Sequence, residues 1–265
     1  MDGIVVAIDP VLLELGPFAL RWYGLAIACG IGLGVLVALR EARRLGVSED
    51  ATYGCALWGT IGGLVGARLF HVLDRVDFYL QNPGAVLAVQ QGGLAVWGAV
   101  VGGVGAGALY CRLAGTPARR MADLAAPSLL LGQIVGRLGS LVDGDAYGGP
   151  FDAPWSLIYV HQAALIPDLG EPTHPYPLYE MLWNGVLLGL LWRLRRRQHP
   201  DGTLFLTYLA LYALGRFALG FVRQEAIVLV GLQQAQLVAL IALALSLPPL
   251  LRRLAFPSPS GRGLG

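Results

Sequence analysis

At 265 residues with 55% hydrophobic and 14% charged side chains, the chain is far more apolar than a soluble domain, whose charged fraction is about 25%. It reads as a polytopic membrane protein. A formal net charge of +2, with the basic residues dispersed in short clusters, excludes the concentrated basic patch that a nucleic-acid partner requires.

Residues 1–17 lack a basic n-region and a cleavage site, and Pro10 and Pro17 interrupt their short apolar run. They read as an external amphipathic segment on the membrane surface, not as a signal peptide. Seven hydrophobic spans follow at 18–39, 52–73, 93–112, 121–141, 176–193, 203–222 and 229–251, each near the roughly 20 residues a helix needs to cross the hydrocarbon. The fold class expected is all-α, with a membrane domain over 18–255.

Arginine fixes the orientation, since the chain has no lysine. Arg40, Arg43 and Arg44 fill the first connection, Arg112, Arg119 and Arg120 the third, Arg193 and Arg195 to Arg197 the fifth, and Arg252 and Arg253 follow the last span. The connections between carry mainly aspartate. By the positive-inside rule the N-terminus is outside and the C-terminus inside. The longest connection, 142–175, becomes an external head, and loops of that length are commonly functional. The Pro-, Ser- and Gly-rich tail at 256–265 reads as disordered.

Glycines recur at helix-packing spacing, as in Gly62 and Gly66, Gly98 and Gly102, and Gly132 and Gly136, which lets helices approach closely. Cys29, Cys55 and Cys111 read as small core residues, with neither a disulfide framework nor metal-ligand spacing. The four histidines are scattered, and no metal site is expected.

Charges within the spans are the functional candidates. Even mild scales charge about 2.5–3.5 kcal/mol for an unpaired arginine at mid-membrane. Arg68 and Asp123 are explained as well by pairing within the bundle as by function. Arg137 and Arg216 differ, because both fall in the outer half of their spans. Two guanidiniums converging near the headgroups would attract an anion, and their planar forks suit phosphate. Gln133, one turn before Arg137 on the same helix face, could orient that fork or bind the same ligand. Tyr23, Tyr179 and Tyr212 supply hydroxyls, or serve as interfacial anchors.

The run Gly136-Arg137-Leu138-Gly139-Ser140-Leu141-Val142-Asp143-Gly144-Asp145-Ala146-Tyr147-Gly148 resembles the signature of the bacterial prolipoprotein diacylglyceryl transferases, G-R-x-G-N-F-x-N-G-E-x-x-G. The resemblance extends along nearly the whole chain, through Arg21 to Leu25, Gly66 to His71, Gln91 to Gly98, His174 to Glu180 and Tyr212 to Phe217. It implies seven helices with an external head, in the bacterial cytoplasmic (inner) membrane, and a site toward the outer face. It also implies transfer of a diacylglyceryl group from phosphatidylglycerol to the lipobox cysteine of a prolipoprotein signal peptide, releasing glycerol phosphate without a cofactor. Carried over, Arg137 and Arg216 hold the phosphate. Tyr23, Trp97, Gln133, Ser140, Asp143, Asp145, Gly148, Tyr179, Glu180 and Tyr212 line the substrate site, and Arg223 faces the peptide.

The chain departs from the family pattern at several points. Trp97 replaces a frequent histidine often proposed as the base; Ser140 and Asp143 replace asparagines, Asp145 a glutamate, and Gly220 the glutamate expected four residues after Arg216. A thiol with a pKa near 8.5 is already about a few per cent thiolate at neutral pH, so guanidinium stabilisation of the leaving phosphate carries the step. Asp145, Asp143 or a tyrosine is then an optional proton acceptor. A non-catalytic lipid-binding scaffold, or subunit of a larger complex, is the alternative that these departures favour. A solute transporter is a further one, though the spans show no inverted repeat.

Overall fold

The computed structural model describes residues 3–16, 18–88 and 92–255. The helices are α1 (Trp22–Leu45), α2 (Glu49–Asp74), α3 (Val76–Gln81), α4 (Val96–Leu113), α5 (Ala118–Asp143), α6 (Tyr176–Leu194), α7 (Thr203–Gly220) and α8 (Gln234–Ala255). Six of them, α1, α2, α4, α5, α7 and α8, are long and apolar enough to cross a membrane. This agrees with a mostly helical, polytopic membrane protein. The expected span at 176–193 is also a helix, α6, but the buried Glu180 and Asn184 lower its apolar content.

Helix ends differ from the hydropathy boundaries for a physical reason. Hydropathy marks the apolar stretch, whereas backbone hydrogen bonding continues into polar sequence. Thus α1 runs through Arg40, Glu41, Arg43 and Arg44. Large side chains including Leu36, Leu73, Val101, Leu182 and Leu245 are exposed, while Ser140, Glu180, Asn184, Thr203 and Gln236 are buried. Exposed large apolar side chains are adverse in water and suit hydrocarbon, and the buried polar groups lie within an interior that also holds an apolar core of Ala126, Leu130, Leu187, Leu191, Leu204 and Tyr208.

The chain forms two compact units, Met1–Gly34 with Ala122–Gly265, and Val35–Met121. In the first, β1 (Ile4–Val6) pairs in parallel with β4 (Leu157–Tyr159), which pairs antiparallel with β5 (Pro172–Thr173). Leu157, Tyr159 and Ile166 form the core of this head, with Val6, Leu141, Tyr147 and Ala164 against it. A β2–β3 hairpin (Val11–Leu15, Phe18–Arg21) leads into α1, and a β6–β7 hairpin (Ile227–Leu229, Leu232–Gln233) joins α7 to α8. The all-α expectation is therefore corrected to mostly helical with three small sheets. Strands of two to five residues are too short to display a period-two pattern. The N-terminal segment is extended in its described part, and β1 belongs to the head sheet. The tail at 256–265 lies outside the described residues.

Asp123, 5% exposed, caps α7. Its carboxylate accepts the backbone N–H groups of Gly202 at 2.6 Å and Phe205 at 2.8 Å. The free N–H groups at a helix start are thus satisfied by a side chain from α5, and this intramembrane charge is structural.

The second unit is held by glycine contacts between α2 and α4. A Cβ on Gly98 would lie 2.2 Å from the Gly66 carbonyl oxygen, and one on Gly102 2.2 Å from that of Gly62. Arg68 is structural as well. It donates to the carbonyls of Ala85, Val86, Gly92 and Gly93 at 2.6–2.9 Å and lies over the Tyr79 ring at 5.4 Å. It thereby ties down the described parts of the connection leading to α4.

Candidate active site

Three helices of the first unit each present polar residues at four-residue spacing, which places them on one face. These are Gln133 and Arg137 on α5, Tyr176 and Glu180 on α6, and Tyr208, Tyr212 and Arg216 on α7. Glu180 joins them. One carboxylate oxygen meets Arg137 Nε, and the other accepts from Arg216 Nη1 at 2.9 Å. At 4% exposure this carboxylate needs both partners, because an unpaired buried charge is costly. The two arginines singled out from the sequence, from α5 and α7, therefore meet through a carboxylate from α6.

Further groups extend the cluster. Arg216 donates to the Tyr176 hydroxyl, and Arg223 pairs with Glu225 at 2.8 Å. Arg216 reaches Glu225 at 4.0 Å, and both Arg216 and Arg223 lie over the Tyr176 ring, at 5.8 and 5.2 Å. Arg137 and Arg216 thus share the single carboxylate of Glu180, while Arg223 has Glu225. Tyr212 lies within electrostatic reach of Glu180 and all three arginines. Gln133 donates to the Tyr208 hydroxyl at 3.0 Å, and Tyr208 stacks on Tyr212 with centroids 5.7 Å apart. The Gln133 carbonyl oxygen is buried with no hydrogen-bond partner among the described residues.

Tyr23 is the link to the acidic loop. Its electrostatic neighbours are Asp145, Arg137, Asp143 and Arg223. Asp143 is held by Arg21 at 3.0 Å, and Arg21 also donates to the Ala163 carbonyl at 2.8 Å. Ser140 keeps a 3.5 Å contact with Arg137. Close approach explains the glycine at position 139, where a Cβ would lie 2.7 Å from the Cα of Tyr23.

Gly148 positions the head. Its N–H donates to the His174 carbonyl at 3.3 Å, it bridges Arg223, and Gly149 N–H donates to the Val222 carbonyl at 2.9 Å. A Cβ on Gly148 would come within 2.4 Å of His174 Cβ. The signature loop is thus sewn to the chain leaving α7, close to Arg223. Tyr179 turns toward this seam, with its hydroxyl 3.4 Å from His174 Nδ1. His174 stacks on Phe151 with centroids 3.8 Å apart, and partial burial pulls its imidazole below the ordinary value.

Most of the expected site residues therefore gather in one unit. Trp97, the second residue of α4, belongs to the other. Sequence reasoning missed Tyr176, Arg21 and Glu225. Tyr176 had a usable signal, four residues before Glu180, and Arg21 heads one of the runs that carry the family resemblance; Glu225 had none beyond its charge, since its partner is set by the turn after α7. At Gly220 the space is taken, because Gln236 Cγ lies 2.5 Å from where a Cβ would be. Gln236 donates to the Phe217 carbonyl at 3.2 Å and accepts from Gln233 N–H at 3.0 Å.

Comparison with known proteins gives a concordant result. The family model described as prolipoprotein diacylglyceryl transferase matches residues 10–251. A protein of Lysinibacillus sphaericus named phosphatidylglycerol–prolipoprotein diacylglyceryl transferase is 36% identical over 259 residues, covering 96% of this chain and 95% of the relative. Proteins of the same name from Nostoc sp. and Synechococcus elongatus are 39% and 38% identical, covering 90% and 89% of this chain and 87% and 84% of the relatives.

Proposed function

The chain belongs to the prolipoprotein diacylglyceryl transferase family, and from that premise we propose that it transfers the diacylglyceryl group of phosphatidylglycerol to the lipobox cysteine of a prolipoprotein signal peptide. The observation that carries the site assignment is the bridge from Arg137 through Glu180 to Arg216. It brings two guanidiniums from different helices to one point, where they share a single carboxylate. A phosphodiester carries one negative charge and matches what two guanidiniums on one carboxylate leave at that point.

In the reaction, the cysteine sulfur attacks the diacylglycerol carbon that bears the phosphate. The C–S bond forms, the C–O bond breaks, and the electron pair leaves with glycerol phosphate. Arg137 and Arg216 neutralise the charge that grows on the departing phosphate, commonly the largest catalytic term. Arginine forks also fix its orientation. The open carbonyl oxygen of Gln133 suits a hydroxyl of the glycerol headgroup. Tyr23, between the arginines and the acidic loop, leads the thiol proton toward Asp145 or Asp143, and nearby guanidiniums favour the thiolate. Ser140 steadies the Arg137 fork, Tyr212 lines the phosphate site, and Arg223 faces the peptide. Tyr179 and Gly148 hold the head seam beside it.

We assign the protein seven spans, α6 being the seventh, with the N-terminus outside and the head on the outer face of the bacterial inner membrane. Glu180 and Asn184 are admitted to α6 because they face other protein groups rather than lipid. The test is incubation of the purified protein with phosphatidylglycerol and a lipobox peptide. A peptide mass gain of one diacylglyceryl group, with equimolar glycerol phosphate, is expected. Lipid binding without mass gain would instead support the scaffold reading, which rests on Trp97, Ser140 and Gly220.

A further inference from the structure

Away from the arginine cluster, the second unit holds a pair of thiols that the transfer reaction does not use. Cys55 lies near the start of α2 and Cys111 near the end of α4, 56 residues apart in sequence, with their sulfurs 3.7 Å apart. Both helix ends adjoin arginines, Arg43 and Arg44 before α2 and Arg112 beside Cys111. Cys111 is 2% exposed, Cys55 is partly exposed, and Cys29 lies exposed on α1.

We propose that Cys55 and Cys111 are a reversible modification site that closes into an interhelical disulfide on exposure to a small-molecule disulfide oxidant. The helix packing supplies the closeness. The glycine contacts of Gly62 with Gly102 and Gly66 with Gly98 bring the two backbones to van der Waals distance. That approach continues toward the thiols, for Cys55 Sγ lies 3.9 Å from the Gly107 carbonyl oxygen. A Cβ added at Gly107 would stand 3.6 Å from the same sulfur. A disulfide needs Cβ atoms about 3.5–4.5 Å apart and sulfurs about 2.05 Å apart. From the 3.7 Å contact, the sulfurs have to close about 1.6 Å.

The order of events follows from exposure. Cys55, the more accessible sulfur, loses its proton and attacks one sulfur of the oxidant, releasing one thiol and leaving a mixed disulfide on α2. Cys111 then loses its proton and attacks the Cys55 sulfur, expelling the second thiol. Two protons and two electrons pass from the protein to the oxidant, which ends as two thiols. The product ties α2 to α4, and a dithiol reductant reverses it.

The test treats the full-length, detergent-purified protein with glutathione disulfide, removes the oxidant, unfolds the protein in sodium dodecyl sulfate and then counts maleimide-reactive thiols, with peptide mapping by mass spectrometry. Three reactive thiols should fall to one, Cys29, with a cross-linked peptide pair containing Cys55 and Cys111 and an intact mass lower by two hydrogens. Dithiothreitol should restore all three. In Cys111→Ser the reaction should stop at a glutathione adduct on Cys55. Three thiols still reactive in the wild type after oxidation, or a cross-link that includes Cys29, overturns the proposal, whatever the Cys111→Ser variant does.

Discussion

Arg68 and the pair Arg137 and Arg216 all sit in helices apolar enough to span a membrane, yet the protein uses them differently. Arg68 gives its donors to four backbone carbonyls of one connection. Those partners are fixed in the chain and occupy most of its N–H donors, so an incoming anion finds few left to bind. Arg137 and Arg216 instead share one carboxylate, and Arg216 reaches a second at 4.0 Å. An anion can replace part of what that shared carboxylate provides to either guanidinium. A charge in a membrane helix is thus not functional by virtue of depth alone; what matters is whether its donors are committed to fixed backbone groups or share a carboxylate with a second guanidinium.

The largest effect separating the two regions should come from Glu180→Gln. Losing one partner of a buried ion pair costs about 3–5 kcal/mol, and here two guanidiniums lose theirs at once. We expect a clear drop in melting temperature in detergent, partly recovered by added phosphatidylglycerol, which supplies a replacement anion. A variant that melts with the parent would show that Glu180 does not neutralise the pair.

Next in size is the chemistry itself. Arg137→Lys keeps the charge and removes the fork, and loss of one transition-state donor commonly costs about 10²–10³ in rate. Lipidation of the peptide should fall by about that factor while the protein stays folded. Arg216→Lys should behave alike if, as proposed, both arginines serve the same phosphate. If Arg137→Lys lipidates as fast as the parent, electrostatic support of the leaving group by the fork is wrong.

Arg68→Gln gives the opposite profile. Hydrogen bonds to charged groups contribute about 1.5–3 kcal/mol each, and the glutamine retains only part of them. The expected result is faster proteolysis in the connection between Pro83 and Ala95, and a lowered melting temperature. The transfer rate per folded molecule should change less than in either arginine variant of the site. A loss of rate as deep as that of Arg137→Lys would erase the distinction between the two regions.

This contrast was only partly legible in the sequence. Hydropathy and arginine placement outlined the helices, because lipid imposes length and composition on each span. The four-residue spacing of Gln133 and Arg137 was visible, and the matching stripe of Tyr176 and Glu180 could have been read the same way. The carbonyl partners of Arg68 could not, since backbone acceptors leave no mark in composition. Nor could the Asp123 cap on α7, which depends on two helices distant in sequence coming together. The head sheet was missed because strands of two and three residues carry no period. The replacement at Gly220 was visible as a departure, but the side chain that fills its space, Gln236, emerges only from the packing of α8 against α7.

The smallest expected effect concerns the seam between the head and Arg223. Partial burial against Phe151 lowers the His174 pKa, so the unfolded chain binds that proton before the folded one does. Stability is therefore unaffected by this group above its ordinary value of about 6.5. It falls as the pH drops from there toward the lowered folded value, because protons then favour the unfolded state. His174→Phe keeps a ring against Phe151 and removes the titration, so its melting temperature should lose less between about pH 7 and pH 5 than the parent's. The site arginines remain charged across that interval and add no slope of their own. Equal slopes in parent and variant would move the acid sensitivity away from His174 and leave the seam held by the Gly148 and Gly149 backbone bonds alone.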